Sequence, residues 1–125
     1  YLQLYREQYR KTAHALISNN RTLNYFQQFQ DLIRQHSRDR LSIKDFAKRI
    51  GITQTHLNRI CKSVVGKSAL KVVQDHTLNE AKKYLLNTSY TAAEVAYLLN
   101  FNDPAYFNRL FTKRVGVAPG EFRKG

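Results

Sequence analysis

Apolar residues recur at three- and four-residue spacing along nearly the whole chain, a rhythm that predicts helices. Over residues 2–18 the stripe is Leu2, Tyr5, Tyr9, Ala13, Leu16 and Ile17, and Ser18-Asn19-Asn20 breaks it. A second helix is expected from Thr22, with Leu23, Phe26, Phe29, Leu32 and Ile33 inward, ending near Arg38-Asp39-Arg40. Ser42 then stands as N-cap of a helix carrying Phe46, Ala47 and Ile50, with Asp45 at its positive end. Gly51 breaks that helix. Thr53 caps the next one, Leu57, Ile60 and Cys61 form its inner stripe, and Gly66 closes the unit.

Ala69 to Leu86 reads as one long helix, with Leu70, Val73, Leu78, Ala81 and Leu85 on or near its apolar side. His76 and Thr77 interrupt its middle, where a bend is expected to be tolerated. The earlier grammar then returns. Ala92, Val95, Ala96 and Leu99 mark a short helix, Asn100 a turn, and Asp103-Pro104 the capped start of another. Tyr106, Phe107, Leu110 and Phe111 give that helix its apolar face, Gly116 ends it, and Pro119 opens a last short segment with Phe122. No alternating, β-rich stretch of useful length occurs. The expected fold class is all-α: two helix-turn-helix subdomains joined by a long linker helix and preceded by an N-terminal helical segment.

The return is a repeat. Asp45-Phe46-Ala47 and Glu94-Val95-Ala96 both place an acidic residue, an apolar residue and alanine in order. Ala47 maps to Ala96 at an offset of 49, and Asn58-Arg59 to Asn108-Arg109 at an offset of 50. The small alanines allow helices to cross closely. The turn between needs left-handed backbone, which glycine adopts freely and asparagine tolerates. A short capped helix with one polar face can then enter a major groove by its N-terminal end.

Charge strengthens that reading. Residues 1–40 hold 7 basic and 3 acidic side chains and residues 41–125 hold 14 and 6, so the formal net charge of +12 is spread out and favours a polyanion. Cys61 is the single cysteine, which excludes an intrachain disulfide and a cysteine-based zinc site; its setting predicts a buried thiol. His14, His36, His56 and His76 show no metal-ligand pattern, and no glycine-rich phosphate loop or paired-carboxylate motif is present. No catalytic residue, metal or cofactor is expected. No apolar run approaches a membrane span and no signal peptide is visible, so no membrane partner and a cytoplasmic location are expected. A start at Tyr1 in a chain without Met suggests a piece of a longer protein.

Specific side chains suit duplex DNA. Arg59 and Arg109 can each donate two hydrogen bonds to a guanine edge, and Asn58 or Asn108 can pair with adenine. Thr55 and Ala105 can meet a thymine methyl. Lys48, Arg49, Thr53, Gln54, Lys62, Lys113 and Arg114 suit backbone phosphates. An intradomain salt bridge is the alternative for each arginine, His56 suits packing or a phosphate, and Tyr106 suits either the core or DNA.

Over about residues 41–124 the chain resembles the AraC/XylS family of bacterial transcription regulators. The second unit carries the resemblance through Glu94-Val95-Ala96, Leu99-Asn100-Phe101, Asp103, Tyr106-Phe107, Arg109, Phe111, Lys113, Gly116, Pro119 and Phe122-Arg123. The first adds Phe46-Ala47, Ile52, Leu57, Arg59, Lys62 and Gly66-Lys67, and the linker adds Glu80-Ala81-Lys82 and Leu85-Leu86. Asn100 stands where glycine is common, Cys61 for a usual Phe, Ala92 for a larger aliphatic residue, and Thr77 where Arg is frequent. The resemblance implies a seven-helix domain over residues 21–125, with helix-turn-helix units at about 42–64 and 91–114 and a linker helix at about 69–86. Residues 1–20 are then a tail from an upstream regulatory domain.

It further implies recognition helices entering major grooves about 34 Å apart. Base reading falls to Thr55, Asn58, Arg59, Ala105, Tyr106, Asn108 and Arg109. The expected partner is double-stranded DNA, with RNA polymerase as a second contact and homodimerisation through the upstream domain. The piece itself, carrying two readers, is expected to be mainly monomeric. A protein-interaction module on degenerate helix-turn-helix folds, or an RNA binder, is the alternative.

Overall fold

The computed structural model describes residues 20–125, and every regular element in that range is helical. The expected stripe of residues 2–17 and the proposed tail of residues 1–20 lie outside it, save for Asn20. Seven helices follow in order. They are α1 (residues 20–35), α2 (Ile43–Ile50), α3 (Gln54–Val65), α4 (Ala69–Asn87), α5 (Ala92–Leu98), α6 (Pro104–Val115) and α7 (Pro119–Lys124).

Asn20, expected as a breaker, is already helical ahead of Thr22. Asparagine in a helix costs under ~1 kcal/mol, too little to stop one by itself. At the other end α1 stops at residue 35 and a turn occupies residues 36–39, where the His36 ring meets the Asp39 carboxylate at 2.6 Å.

The described residues form two compact units. One holds residues 20–32 and Ile43–Ala69, the other Ile33–Ser42 and Leu70–Gly125. In the first, Phe26 and Phe29 of α1, Phe46 and Ala47 of α2, and Leu57, Ile60 and Cys61 of α3 are buried. Phe29 and Phe46 meet edge to face at 5.4 Å, and full burial of a side chain of that size stabilises by about 2–3 kcal/mol. Burial also pushes the Cys61 thiol up to about 11, so it stays protonated and inert.

In the second unit, Leu78, Ala81 and Leu85 of α4 pack with Val95, Ala96 and Leu99, Phe101, and Phe107 and Phe111 of α6. Aromatic contacts run from Phe101 to Phe107 at 5.2 Å, to Phe111 at 5.9 Å and on to Phe122 of α7 at 5.6 Å. Arg123 ties α7 down by donating to the carbonyls of Leu85, Thr88 and Tyr90.

Two leucines expected inside are exposed, Leu23 and Leu70. At 100° per residue, Leu23 lies about 80° from the bearing of Ile33, on the shoulder of its stripe. Leu70 lies only about 20° from the bearing of the buried Ala81 and is exposed because nothing covers that side of α4 at its first turn. Helix α4 runs unbroken through His76-Thr77, and the Thr77 hydroxyl donates back to the Val73 carbonyl at 3.1 Å, so its polar group is satisfied within the helix.

Candidate nucleic-acid interface

Each unit contains the same local machine. Helix α2 ends where Gly51 turns left-handed at φ +87°, and α5 ends where Asn100 does so at φ +64°. In both, paired hydrogen bonds close the helix end: Ile52 N–H to Ala47 at 3.0 Å with Gly51 N–H to Lys48, and Phe101 N–H to Ala96 at 2.9 Å with Asn100 N–H to Tyr97. Asparagine can replace glycine here because its short polar side chain tolerates the left-handed region.

The next helix is capped in both units. Thr53 Oγ1 accepts from His56 N–H at 3.0 Å, and Asp103 Oδ1 accepts from Ala105 N–H at 3.0 Å, with Pro104 in the first turn. Helices α3 and α6 are each 12 residues long and end at left-handed Gly66 and Gly116. The change of offset from 49 to 50 falls on Asn102, the extra residue in the second turn. Thr91 and Glu94 form a full capping box on α5, each bond 3.1 Å, a feature missed from the sequence although Thr-x-x-Glu is its signature.

With Leu57, Ile60 and Cys61 buried, the face left outward on α3 is Thr55, Asn58, Arg59 and Lys62, one stripe at i, i+3, i+4 and i+7. With Phe107 and Phe111 buried, the matching stripe on α6 is Ala105, Asn108, Arg109 and Thr112, flanked by Lys113. Arg59 and Arg109 are exposed, and among the described residues neither pairs with a carboxylate. Tyr106 is 41% exposed, with its ring 6.0 Å from Phe101, so it leans on the core and still shows an edge to solvent. His56 packs edge-on to Tyr25 at 5.6 Å.

Arg114, Asn58 and Thr53, all expected site residues, are engaged within the fold. Arg114 donates to the Asp75 carboxylate and, at 2.9 Å, to Gln74 of α4, and its side chain is only 21% exposed. It braces α6 against α4, and an inward position with a carboxylate in reach overrides its expected place at a phosphate. Asn58 turns its Oδ1 to the Ala69 N–H at 3.0 Å. Of the other expected phosphate contacts, Lys48, Arg49, Gln54, Lys62 and Lys113 are exposed, while the Thr53 hydroxyl serves its helix cap.

The units differ in charge on their leading helices. Helix α2 carries Lys44, Lys48 and Arg49, whereas α5 has no basic residue and exposes Tyr97 where α2 has Lys48. No group of side chains suited to a metal ion occurs among the described residues. No helix among them is long and apolar enough to cross a membrane.

A family model described as a helix-turn-helix domain matches residues 46–125. The arabinose operon regulatory protein of Escherichia coli is 31% identical over 83 residues, which cover 66% of this chain and 28% of that regulator. A transcriptional regulator with an AraC-type DNA-binding domain from Chromobacterium violaceum superposes at TM-score 0.76 with 22% identity, over 82% of this chain and 91% of that one. The DNA-binding domain of AdpA, a global transcriptional factor solved with a target DNA, superposes at TM-score 0.71 with 20% identity, over 77% and 86%. At those identities the solved structures bear on the fold. The chain spans about a third of the length of the curated relatives it matches, at 32%, 30% and 33% for three regulators. With most of its length matched and the repeated helix-turn-helix in place, the chain belongs to the AraC-type helix-turn-helix family.

Proposed function

We propose that this chain binds double-stranded DNA in a sequence-dependent way as the DNA-binding part of a transcription regulator. One observation carries the reading. Two capped helices of equal length each present an exposed arginine without a carboxylate partner at the same place on their outer faces, Arg59 and Arg109. An arginine there can lay two N–H groups along a guanine edge, while Thr55 and Ala105 offer methyl groups to thymine. Lys48, Arg49, Gln54, Lys62 and Lys113 supply phosphate contacts, which give affinity and orientation without sequence information. The net charge of +12 suits that partner. Contact with RNA polymerase, homodimerisation through a domain outside this chain, and a cytoplasmic location are finer parts of the proposal, and the relatives' identity as regulators supports them.

Binding titrations against B-form duplex, single-stranded DNA and A-form RNA duplex over a range of salt test the partner class. The expected order puts duplex DNA first, with affinity falling steeply as salt rises. A preference for RNA would assign the basic faces to shape recognition. Equal weak binding to all three would favour a protein partner.

A further inference from the structure

The repeat is broken at one hydrogen bond. In the first unit, Asn58 Oδ1 accepts the backbone N–H of Ala69 at 3.0 Å. Ala69 is the first residue of α4, where a helix has N–H groups with no partner inside it. The offset of 50 carries Asn58 onto Asn108 and Ala69 onto Pro119, the first residue of α7. Proline has no N–H, so Asn108 meets no donor where Asn58 meets one. The surroundings agree. Asn58 is half-buried and Asn108 exposed, α7 begins without a side-chain cap, and Asn108 lines an open cleft with Arg109, Thr112, Lys113 and Ala118.

We infer that Asn108 is a specificity-determining residue, whereas Asn58 is a positioning residue that fixes the start of α4. Reading adenine takes the whole amide: the oxygen accepts from N6 and the nitrogen donates to N7. Asn58 has its amide turned to α4 and cannot lay both groups along a base edge. Asn108 has both free, beside Arg109 in the same cleft. The two units therefore read unequally, and adenine selection belongs to the second. The inference rests on the proposed DNA binding, which its test separates from it.

The 125-residue chain is first used to select its preferred duplex from a random pool, and each base pair of that duplex is then changed singly. Binding and thermal midpoint are measured for the unaltered chain, Asn58→Ala, Asn58→Asp and Asn108→Ala. Asn108→Ala is expected to flatten a preference of roughly 5- to 150-fold at one base pair, leaving the others and the thermal midpoint in place. Asn58→Ala is expected to lower the midpoint and weaken binding to every duplex alike. Asn58→Asp has the same shape, keeps the acceptor and lacks the amide donor; it is expected to restore the midpoint with all relative preferences intact. A single-base-pair loss of preference in Asn58→Ala that Asn58→Asp fails to restore would overturn the inference, as would an Asn108→Ala variant with every preference unchanged. A chain that selects no duplex overturns the DNA-binding reading and with it the role of Asn108, while the thermal arm still decides that of Asn58.

Discussion

Arg109 and Arg114 lie five residues apart on one helix and have opposite fates. Arg114 is held by Asp75 and Gln74, so Arg114→Ala is expected to cost about 1–2 kcal/mol of stability, modest because the pair is partly solvated. Its effect on the salt dependence of DNA binding should be nil, and thermal melts with salt titrations read both. Lys113→Ala should do the reverse, lowering the magnitude of the salt slope by about 1 with an unchanged melting midpoint. Sequence alone could not separate these neighbours, because the carboxylate that claims Arg114 lies 39 positions away. His76 gives a second test at this scale. Burial lowers its pKa from 6.5; Glu80 opposes that shift, while Lys83 and Arg34 add to it. Its Nε2 is buried without a hydrogen bond, with Glu80 4.0 Å away. The folded state thus holds His76 neutral more firmly than the unfolded chain does. Stability from this group is complete above about pH 6.5 and is lost as pH falls from there toward the lowered folded value. Denaturant midpoints between about pH 7.5 and pH 5 should fall on the acid side, and His76→Gln should flatten that fall.

At the scale of elements, helix ends were the most legible part of the chain. Thr53, Asp103, Gly51, Gly66, Asn100 and Gly116 act where local chemistry puts them, because a cap or a left-handed turn needs only its own few residues. Burial was less legible at the edges and ends of stripes. Leu23 and Leu70 follow the periodicity and still face solvent, since the extent of the buried face depends on what packs against it. The role of Asn58 was hidden for a similar reason: its partner is a backbone N–H in another helix, 11 positions on. The turn at Asn100 is open to direct test. Asn100→Val should cost about 1–2 kcal/mol, because a β-branched residue is strained at φ +64°, whereas Asn100→Gly should be neutral or stabilising. Asp103→Ala should lose about 1 kcal/mol with its cap. Chemical denaturation reads all three, and no difference between the Val and Gly variants would contradict the turn geometry.

For the whole molecule, the repeat matters more than any single residue. Residues 20–32 and 43–69 hold seven basic and two acidic side chains, whereas residues 33–42 and 70–125 hold eleven and six. Several cations of the second unit are committed to internal contacts: Arg38 to Tyr84, Arg40 over Phe101 at 4.0 Å, Arg114 to Asp75 and Arg123 to carbonyls. Helix α2 carries three basic residues and α5 none, so phosphate affinity is expected to come mainly from the first unit and adenine selection from the second. Both units are proposed to read bases. Selection of random duplex DNA by the chain, with Arg59→Ala and Arg109→Ala run in parallel at fixed salt, tests this reading most directly. The expected result is a two-part motif, one part blurred by each substitution, since each arginine reads its own guanine. A single-part motif indifferent to one arginine, or no motif at any salt, would contradict it.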